Sequence, residues 1–267
     1  MKIETLIVTI DQQDHSLASQ MNIQTEAVIG NQCGREVVES FLLGENRITY
    51  VNSAQRGVGK NRNAVIEHAT GDVCIFADDD MRFVDGYEEI MKEAIRLAPD
   101  ADLWLFNVIK KRPSGYVNRR VKRIGYFNYE RYGASRIAIR RESILKAGIR
   151  FDLRFGGGTI FSSGEDTLFL KACLDKKLKI MAVPLALAEI DQSAQSTWFK
   201  GYNDKYFYDK GVLYQALHPW MAAVLIVRFA VKYRKKYAAV YPIPKAVRMM
   251  FRGRRDFARG TAENGIK

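Results

Sequence analysis

Short apolar runs alternate with amphipathic segments along the first 190 residues of the chain. The apolar runs are rich in Val, Ile and Leu, which is typical of buried strands. Apolar residues recur at helical spacing in residues 58–69 and 87–97, which predicts a helix in each. Shorter helices are predicted at 143–147 and 167–174. The predicted strands are Thr5–Ile10, Ala27–Gly30, Ile48–Val51, Val73–Ala77, Leu103–Ile109, Ser135–Ile139 and Lys179–Val183.

This alternation of strands and helices predicts an α/β domain with a mostly parallel sheet flanked by helices. In open sheets of this class, ligands bind at the carboxyl ends of the strands. We therefore expect the functional residues of this chain directly after its apolar runs.

Three consecutive carboxylates, Asp78, Asp79 and Asp80, follow the strand predicted at Val73–Ala77. Three adjacent negative charges repel one another, so a positive partner is expected. Oxygen ligands of this kind suit Mg²⁺ or Mn²⁺ better than zinc. In isolation, such a triplet is more often a solvated turn. Its position after a buried strand, which itself follows a basic helix with glycines at its start, favours a metal or nucleotide site.

A second acidic pair, Glu165 and Asp166, follows the glycine-rich loop that begins at Phe155 and ends at Gly164. The pair stands at the N-terminus of the helix predicted at residues 167–174. Carboxylates favour that end of a helix, so helix capping is one interpretation of the pair. A catalytic carboxylate is the other.

Composition places the chain among globular proteins. Its 267 residues can bury one sizeable core, and 47% hydrophobic and 11% aromatic residues exclude a disordered chain. Cys33, Cys74 and Cys173 show no metal-binding spacing, which predicts reduced, buried thiols in a cytosolic protein. The N-terminus begins almost at once with a strand, so no secretory signal is expected.

Charge divides the chain into two parts. Residues 200–267 contain 15 of the 42 Lys and Arg but only 4 of the 30 Asp and Glu. The tail therefore carries +11 of the net charge of +12. We predict a catalytic domain at 1–199 and a basic helical extension at 200–267, which binds an anionic partner.

The apolar run from Trp220 to Val227 in this tail is much shorter than the ~20 residues of a membrane-spanning helix. It precedes a strongly basic segment, Arg228–Arg259, that contains interleaved tyrosines. This combination predicts an amphipathic segment lying on an anionic membrane, with Trp220, Leu225 and Ile226 inserted. The charge alone is equally typical of nucleic-acid binding, whereas the apolar run favours membrane. The interleaved tyrosines are Tyr233, Tyr237 and Tyr241.

Four segments of the chain match one family in order and separation: Arg56–Asn63, Ala69–Asp72, Asp78–Asp80 and Gly164–Thr167. Over roughly residues 5–190 the chain resembles glycosyltransferase family 2, the inverting sugar transferases with the GT-A fold. The resemblance implies a Rossmann-like sheet. It also implies transfer from a nucleotide-sugar donor, most often a UDP-sugar, with Mn²⁺ or Mg²⁺ as cofactor.

The resemblance assigns functions to individual residues. It implies that Asp80, with Asp78, binds the metal and that Asp166 is the general base, with Glu165 as the alternative. Where the family usually has an aspartate after the second strand, this chain has Asn31 and Gln32, whose amides can still bond uracil. The residues implied in donor binding are Thr9, Asn31, Arg56, Lys60, Arg62, Asn63, Asp78 and Asp79.

We therefore expect a glycosyltransferase that acts on a glycan or lipid-linked acceptor in cell-surface polysaccharide synthesis. It is expected in the cytoplasm, bound peripherally to the inner face of the membrane. A nucleotidyltransferase is one alternative, although a strong glycine-rich phosphate loop near residue 10 is lacking. A basic nucleic-acid-binding protein is another, although the charge of residues 1–199 is nearly balanced.

Overall fold

The computed structural model describes residues 1–110, 116–191 and 199–262. The last residues of the predicted extension, 263–267, lie outside this part. Within it, ten strands form one sheet, in the order β3-β4-β2-β1-β5-β9-β7-β10-β6, with β8 beside β10. The strands are β1 (Ile3–Ile10), β2 (Glu26–Gln32), β3 (Val37–Leu43), β4 (Asn46–Ser53), β5 (Val73–Asp78), β6 (Met81–Phe83), β7 (Leu103–Ile109), β8 (Lys122–Arg123), β9 (Ile137–Arg140) and β10 (Ile180–Ile190).

The α/β class predicted from the sequence is confirmed, but the sheet is mixed rather than mostly parallel. Strands β4, β2, β1 and β5 are parallel neighbours, as are β7 and β10. Strand β9 runs back between β5 and β7 and is antiparallel to both. The edge pairs β3–β4 and β10–β6 are also antiparallel. The parallel half therefore carries the strand ends at which a ligand is expected.

Along the sequence, helices α1 to α5 alternate with the strands, and helices α6 to α9 come after the last strand, β10. Helix α3 has the predicted bounds and buries Met91 and Ala94 against the sheet, whereas Leu97 is exposed at the helix end. The helices are α1 (Ser16–Gln20), α2 (Val58–His68), α3 (Tyr87–Leu97), α4 (Arg141–Ala147), α5 (Glu165–Asp175), α6 (Asp204–Leu217), α7 (Ala222–Lys232), α8 (Arg234–Tyr237) and α9 (Ile243–Ala258).

The chain divides into two compact units. The first comprises Met1–Asp152 and Phe169–Gln195, and the second comprises Leu153–Leu168 and Ser196–Lys267. The sequence-based boundary at residues 199 and 200 assigns 153–168 to the catalytic domain, whereas in the structure these residues pack with the C-terminal helices. That boundary remains our proposal for the domains.

Strand β3 was not predicted, although the sequence contains a signal for it. It pairs with β4 across a two-residue turn in which Gly44 has a positive φ of 62°. A glycine at such a turn between two apolar runs indicates a β-hairpin. Phe41 and Leu43 pack against the core, whereas Val38 and Leu42 are exposed on the other face of β3. Because both faces carry apolar residues, the strand lacks the apolar alternation of a half-buried strand.

Helices α6 and α9 of the second unit cross at two glycines. A Cβ atom on Gly211 would lie 1.9 Å from the carbonyl oxygen of Met250, and one on Gly253 would lie 2.2 Å from that of Tyr208. Real Cβ atoms do not approach backbone so closely. The two backbones are therefore in contact because each helix has a glycine at the crossing point.

We expect Gly211→Ala to lower the thermal midpoint of unfolding. Alanine favours an isolated helix by about 1 kcal/mol, but here its methyl group must push α9 away, and overpacking costs typically about 1–3 kcal/mol. Thermal unfolding followed by circular dichroism measures the shift. Gly34→Ala is the control, because a Cβ there meets nothing within 4 Å. Equal midpoints for the two variants would contradict the close crossing.

Candidate active site

The acidic triplet lies where the parallel strands end. Asp78 is the last residue of β5, and Asp79 and Asp80 form the turn that leads into β6. Strand β5 is parallel to β1, with Asp78 opposite Val8, so that Thr9 at the end of β1 is next to the triplet. The strand register thus brings together four residues that the sequence placed in the site.

Asp78 and Asp79 each have a partner within the first unit. Arg62 of α2 donates from Nη2 to Oδ1 of Asp78 at 2.7 Å, and its side chain is only 5% exposed. The guanidinium also lies over the ring of Phe151, 5.5 Å from its centroid. Thr9 donates from Oγ1 to Oδ2 of Asp79 at 2.5 Å. Two of the three negative charges are therefore stabilised by the protein itself.

Asp80 differs from its two neighbours. Among the described residues, no Lys, Arg or His forms an ion pair with its carboxylate. Partial burial raises its pKa to about 6, and the negative charges of Asp78 and Asp79 add to this shift. Its carboxylate is therefore ionised at pH 7 in surroundings that oppose the charge, and a bound cation would relieve that cost.

The described residues contain no group of three His, Cys, Asp or Glu side chains able to hold a metal ion alone. A Mg²⁺-like ion keeps several waters and is bound through one or two carboxylates together with substrate phosphates. Asp80, with Asp78 beside it, supplies the oxygen donors such an ion needs. The donor set therefore fits the metal that the sequence predicts.

Helix α2 has an unusual buried face, because it contains polar residues that bond to backbone. Asn61 donates from Nδ2 to the carbonyl of Gly30 at 2.8 Å. Asn63 donates to the carbonyl of Phe151 at 3.0 Å and accepts from its N–H at 2.8 Å. Both ends of the Asn63 amide are thus used to position backbone. Its predicted contact with the donor remains a prediction.

Both ends of the Asn31 side-chain amide also form hydrogen bonds within the protein. Its Oδ1 accepts from the N–H of Gln12 at 3.0 Å, and its Nδ2 donates to the carbonyl of Gln12 at 3.1 Å and to Oδ1 of Asn52 at 2.8 Å. The amide therefore fixes the loop after β1. Its nucleobase contact remains a prediction.

Arg56 and Lys60, the remaining predicted donor ligands, are both exposed at the N-terminal side of α2. Arg56 pairs with Asp11 at 3.0 Å and donates to the carbonyl of Gln32, also at 3.0 Å. The Oε1 of Gln32 accepts from the N–H of Gly57 at 2.6 Å. These contacts connect the loops after β1 and β2 to the start of α2.

The matched segment Ala69–Asp72 has a structural explanation that sequence reasoning missed. Glu4, which is buried, accepts from the N–H groups of Thr70 and Gly71, each at 2.7 Å. A Cβ on Gly71 would lie 2.6 Å from that of Glu4. This segment thus closes the turn between α2 and β5 and positions the strand that leads to Asp78.

The second acidic pair lies in the second unit, at the start of α5. Glu165 accepts from the N–H of Gly164 at 3.1 Å, and Asp166 accepts from the N–H of Thr167 at 2.7 Å. Both carboxylates are half-buried. Gly164 has a φ of 115°, and a Cβ there would meet the side chain of Leu213 at 2.5 Å. These two bonds are local and suit either capping or catalysis.

The chain matches a known protein family over more than half of its length. The family described as Glycosyl transferase family 2 matches residues 15–161, a range that includes Arg62 and Asp78–Asp80 but neither Thr9 nor Asp166. No curated protein matches the chain.

Solved structures of S. aureus TarS share the fold of this chain. The fragment 1–349 in complex with UDP-GlcNAc has 12% sequence identity and a TM-score of 0.62, covering 97% of this chain and 92% of that one. The same fragment in complex with UDP has 14% identity, a TM-score of 0.59 and the same coverage. A further TarS structure has 12% identity and a TM-score of 0.60, and the match covers 96% of this chain but 55% of that one. At these identities the likeness shows the fold alone.

Proposed function

The chain belongs to glycosyltransferase family 2, and from this premise we propose that it transfers a sugar from a UDP-sugar, with inversion, to a hydroxyl group of a glycan or lipid-linked acceptor. Transfer of a sugar from a nucleotide-sugar donor is the activity of the family. UDP as the nucleotide is supported by the solved relative that binds UDP-GlcNAc. A role in cell-surface polysaccharide synthesis is part of the same proposal.

The observation that carries the proposal is the environment of Asp80. Its carboxylate is half-buried, has a pKa raised to about 6 and stands beside two further carboxylates at the strand ends of a GT-A sheet. We assign Asp80 and Asp78 to Mn²⁺ or Mg²⁺ binding. When bound, such an ion neutralises the negative charge that develops on the leaving diphosphate.

The residues of the chain supply the remaining steps. In a single displacement, the acceptor oxygen forms a bond to the anomeric carbon while the bond from that carbon to the phosphate oxygen breaks. We propose that Asp166 accepts the proton of the acceptor hydroxyl, as general-base catalysis requires. Arg62 holds Asp78 in place, and Thr9 holds Asp79, so the donor meets a preorganised acidic edge.

Transfer from a panel of radiolabelled nucleotide sugars to glycan and lipid-linked acceptors tests this function. We expect a labelled glycoside from a UDP-sugar only in the presence of Mn²⁺ or Mg²⁺, and none after addition of a chelator. A product that contains the nucleotide instead of the sugar would show a nucleotidyltransferase. Transfer that a chelator leaves unchanged would contradict the metal assignment.

We also propose that the second unit binds the cytoplasmic face of an anionic membrane. Among the described residues, no helix is both long and apolar enough to cross a bilayer. Helix α7 carries an exposed apolar stripe that begins at Trp220, which is 99% exposed just before the helix. The stripe follows helical spacing and consists of Trp220, Val224, Val227 and Val231. Exposed cations flank it: Arg228, Lys232, Arg234, Lys235 and Lys236.

The residues expected to enter the membrane are corrected by the structure. Ile226 is fully buried and Leu225 is half-buried, because the other side of α7 packs within the second unit. Tyr237 and Tyr241 are also buried, against Phe207, with ring centroids 5.0 and 4.6 Å from it. Of the residues first predicted to insert, only Trp220 is available, and the stripe on α7 replaces the others.

Flotation with vesicles measures this binding. We expect the full chain to float with anionic vesicles and not with neutral ones, since each Lys or Arg near an anionic surface contributes about 1 kcal/mol. High salt should weaken binding without abolishing it, because salt screens the charges but not the apolar stripe. Val224→Asp combined with Val227→Asp should remove the salt-resistant part.

The control is Val38→Asp combined with Leu42→Asp, which makes the same change at exposed positions of β3. The test uses the full chain, because a deletion from Trp220 onward would also remove α9, which packs closely against α6. If the variant with Val224→Asp and Val227→Asp floated as well as the wild type, the apolar stripe would not contribute to membrane binding. A chain that ignores lipid but binds nucleic acid tightly would overturn the membrane proposal.

A further inference from the structure

Asp209 of α6 is a buried carboxylate to which neither the sequence nor the proposed reaction assigns a function. Its residue is only 5% exposed. Its Oδ2 accepts from the N–H of Ser162 at 3.0 Å and from the hydroxyl of the same residue. Lys205, one turn earlier on α6, pairs with both carboxylate oxygens at 3.1 and 2.9 Å. All of these groups belong to the second unit.

Lys205 extends this contact to a second point of the same loop. Its ammonium donates to the carbonyl of Ile160 at 2.6 Å. Lys205 and Asp209 thus hold the loop at residues 160 and 162, immediately before the acidic pair Glu165 and Asp166. We call these contacts the loop clasp.

The loop is closed on itself as well. The N–H of Gly156 bonds to the carbonyl of Phe161 at 2.8 Å, and the N–H of Phe161 bonds to the carbonyl of Arg154 at 2.9 Å. Thr159 adds hydroxyl bonds to these carbonyls. These bonds connect residues 154–161 to one another, so the loop clasp at residues 160 and 162 constrains the segment that leads into α5.

The carboxylate of Asp209 is buried, whereas the side chain of Lys205 is 41% exposed. Such an ion pair is weak evidence for stability, because desolvation of the carboxylate offsets much of what the charges gain. An apolar pair of the same volume would hold α6 to the loop equally well. Hydrogen bonds, unlike apolar contacts, have a preferred direction and length. A carboxylate that accepts from one N–H, one hydroxyl and one ammonium therefore fixes the position of the loop relative to α6. The clasp is therefore better explained by precise positioning than by added stability.

We propose that Asp209 is a positioning residue, which acts through Ser162 to hold Asp166 in the place where it accepts the acceptor proton. This inference rests on the proposed function, because it takes Asp166 as the base. A misplacement of about 1 Å can cost ~10²-fold in rate. Loss of the clasp should therefore lower kcat and leave donor binding, which uses residues of the first unit, unchanged.

The test compares three variants of the full chain with one control. Ser162→Ala removes only the hydroxyl bond, and Asp209→Asn replaces the charge by an amide of the same shape. Ser162→Thr retains a hydroxyl. The control, Tyr241→Phe, removes a hydroxyl bond of 2.7 Å to Asp204, which is also on α6 but does not touch the loop. UDP release from the donor found in the panel gives kcat and KM, and calorimetry gives the affinity for UDP with Mn²⁺.

We expect Ser162→Ala to lower kcat roughly tenfold and Asp209→Asn up to about 10²-fold, with KM for the donor and UDP affinity unchanged. Ser162→Thr should restore kcat, and Tyr241→Phe should match the wild type. Hydrogen exchange, which needs no turnover, should be faster in peptides of residues 155–166 of the two slow variants.

Two results would overturn the inference, and each is distinct from failure of the proposed function. Wild-type kcat in Asp209→Asn and Ser162→Ala, while Asp166→Asn is inactive, would refute the clasp and leave the base assignment intact. An equal loss of kcat in Tyr241→Phe would show a general effect on the fold. If Asp166→Asn remains active, the base assignment fails, whatever the exchange measurements show.

Discussion

Asp80→Ala is expected to abolish sugar transfer and to remove the Mn²⁺ dependence of UDP binding. Arg62 bonds to Asp78, and Thr9 bonds to Asp79. The charge of Asp80 is not balanced in this way, so a bound cation would stabilise it most. Without Asp80, Asp78 would be the only carboxylate left of the two that we assign to the ion, and the ion's neutralisation of the leaving diphosphate would be lost. Calorimetric titration of UDP with and without Mn²⁺ measures the binding, and the radiolabel assay measures transfer.

The control for this variant is Asp100→Ala, which removes an exposed carboxylate paired with Lys179 in the same unit. It should retain both transfer and metal dependence. If Asp80→Ala bound UDP with the same Mn²⁺ dependence as the wild type, the metal would have to be assigned to other residues.

Asp80 should also reduce the stability of the free protein. Its pKa is raised from 3.8 to about 6, so the folded state favours the protonated form. The cost of ionising Asp80 is therefore absent below pH 3.8, grows as the pH rises to about 6 and is fully present at pH 7. Asp80→Asn should raise the thermal midpoint at pH 7, and this gain over the wild type should disappear near pH 3.8.

The strand that carries this site was predictable because its sequence signals are local. An apolar run that ends in a carboxylate indicates a strand with a functional end, and β5 with Asp78 confirms the position of that strand. Helix α3 has its predicted bounds for the same reason, since its apolar positions recur at helical spacing. The family resemblance, which rests on similar local motifs, is confirmed by the match to residues 15–161.

The partners of individual side chains were not predictable, because they come from distant parts of the chain. Asn63 bonds to Phe151, which lies 88 residues later, and Glu4 bonds to Gly71, which lies 67 residues later. The same holds for the apolar run of α7. Its composition indicates an apolar helix, but only the packing of the second unit shows that Ile226 is buried and that Val227 is exposed.

Asp166→Asn is expected to lower kcat by at least about 10²-fold and up to ~10⁴-fold, the range that general-base catalysis contributes. An amide cannot accept the proton of the acceptor hydroxyl, whereas the affinity for the donor should not change. The measurement is kcat from the radiolabel assay, together with calorimetry of UDP in the presence of Mn²⁺. Unchanged UDP affinity shows that the variant is folded and that the loss lies in the chemical step.

The alternative interpretation of Asp166 makes the opposite prediction. If this carboxylate only stabilises the first turn of α5 through its bond to the N–H of Thr167, asparagine replaces it well, because its side-chain oxygen can accept the same bond. Activity would then survive, and Glu165→Gln, prepared in parallel, would show whether the neighbouring carboxylate is the base. Glu165 and Asp166 are the first two residues of the same helix, so either substitution should disturb the helix equally. A large loss of kcat in Asp166→Asn, with near wild-type activity in Glu165→Gln, would therefore assign the proton transfer to Asp166.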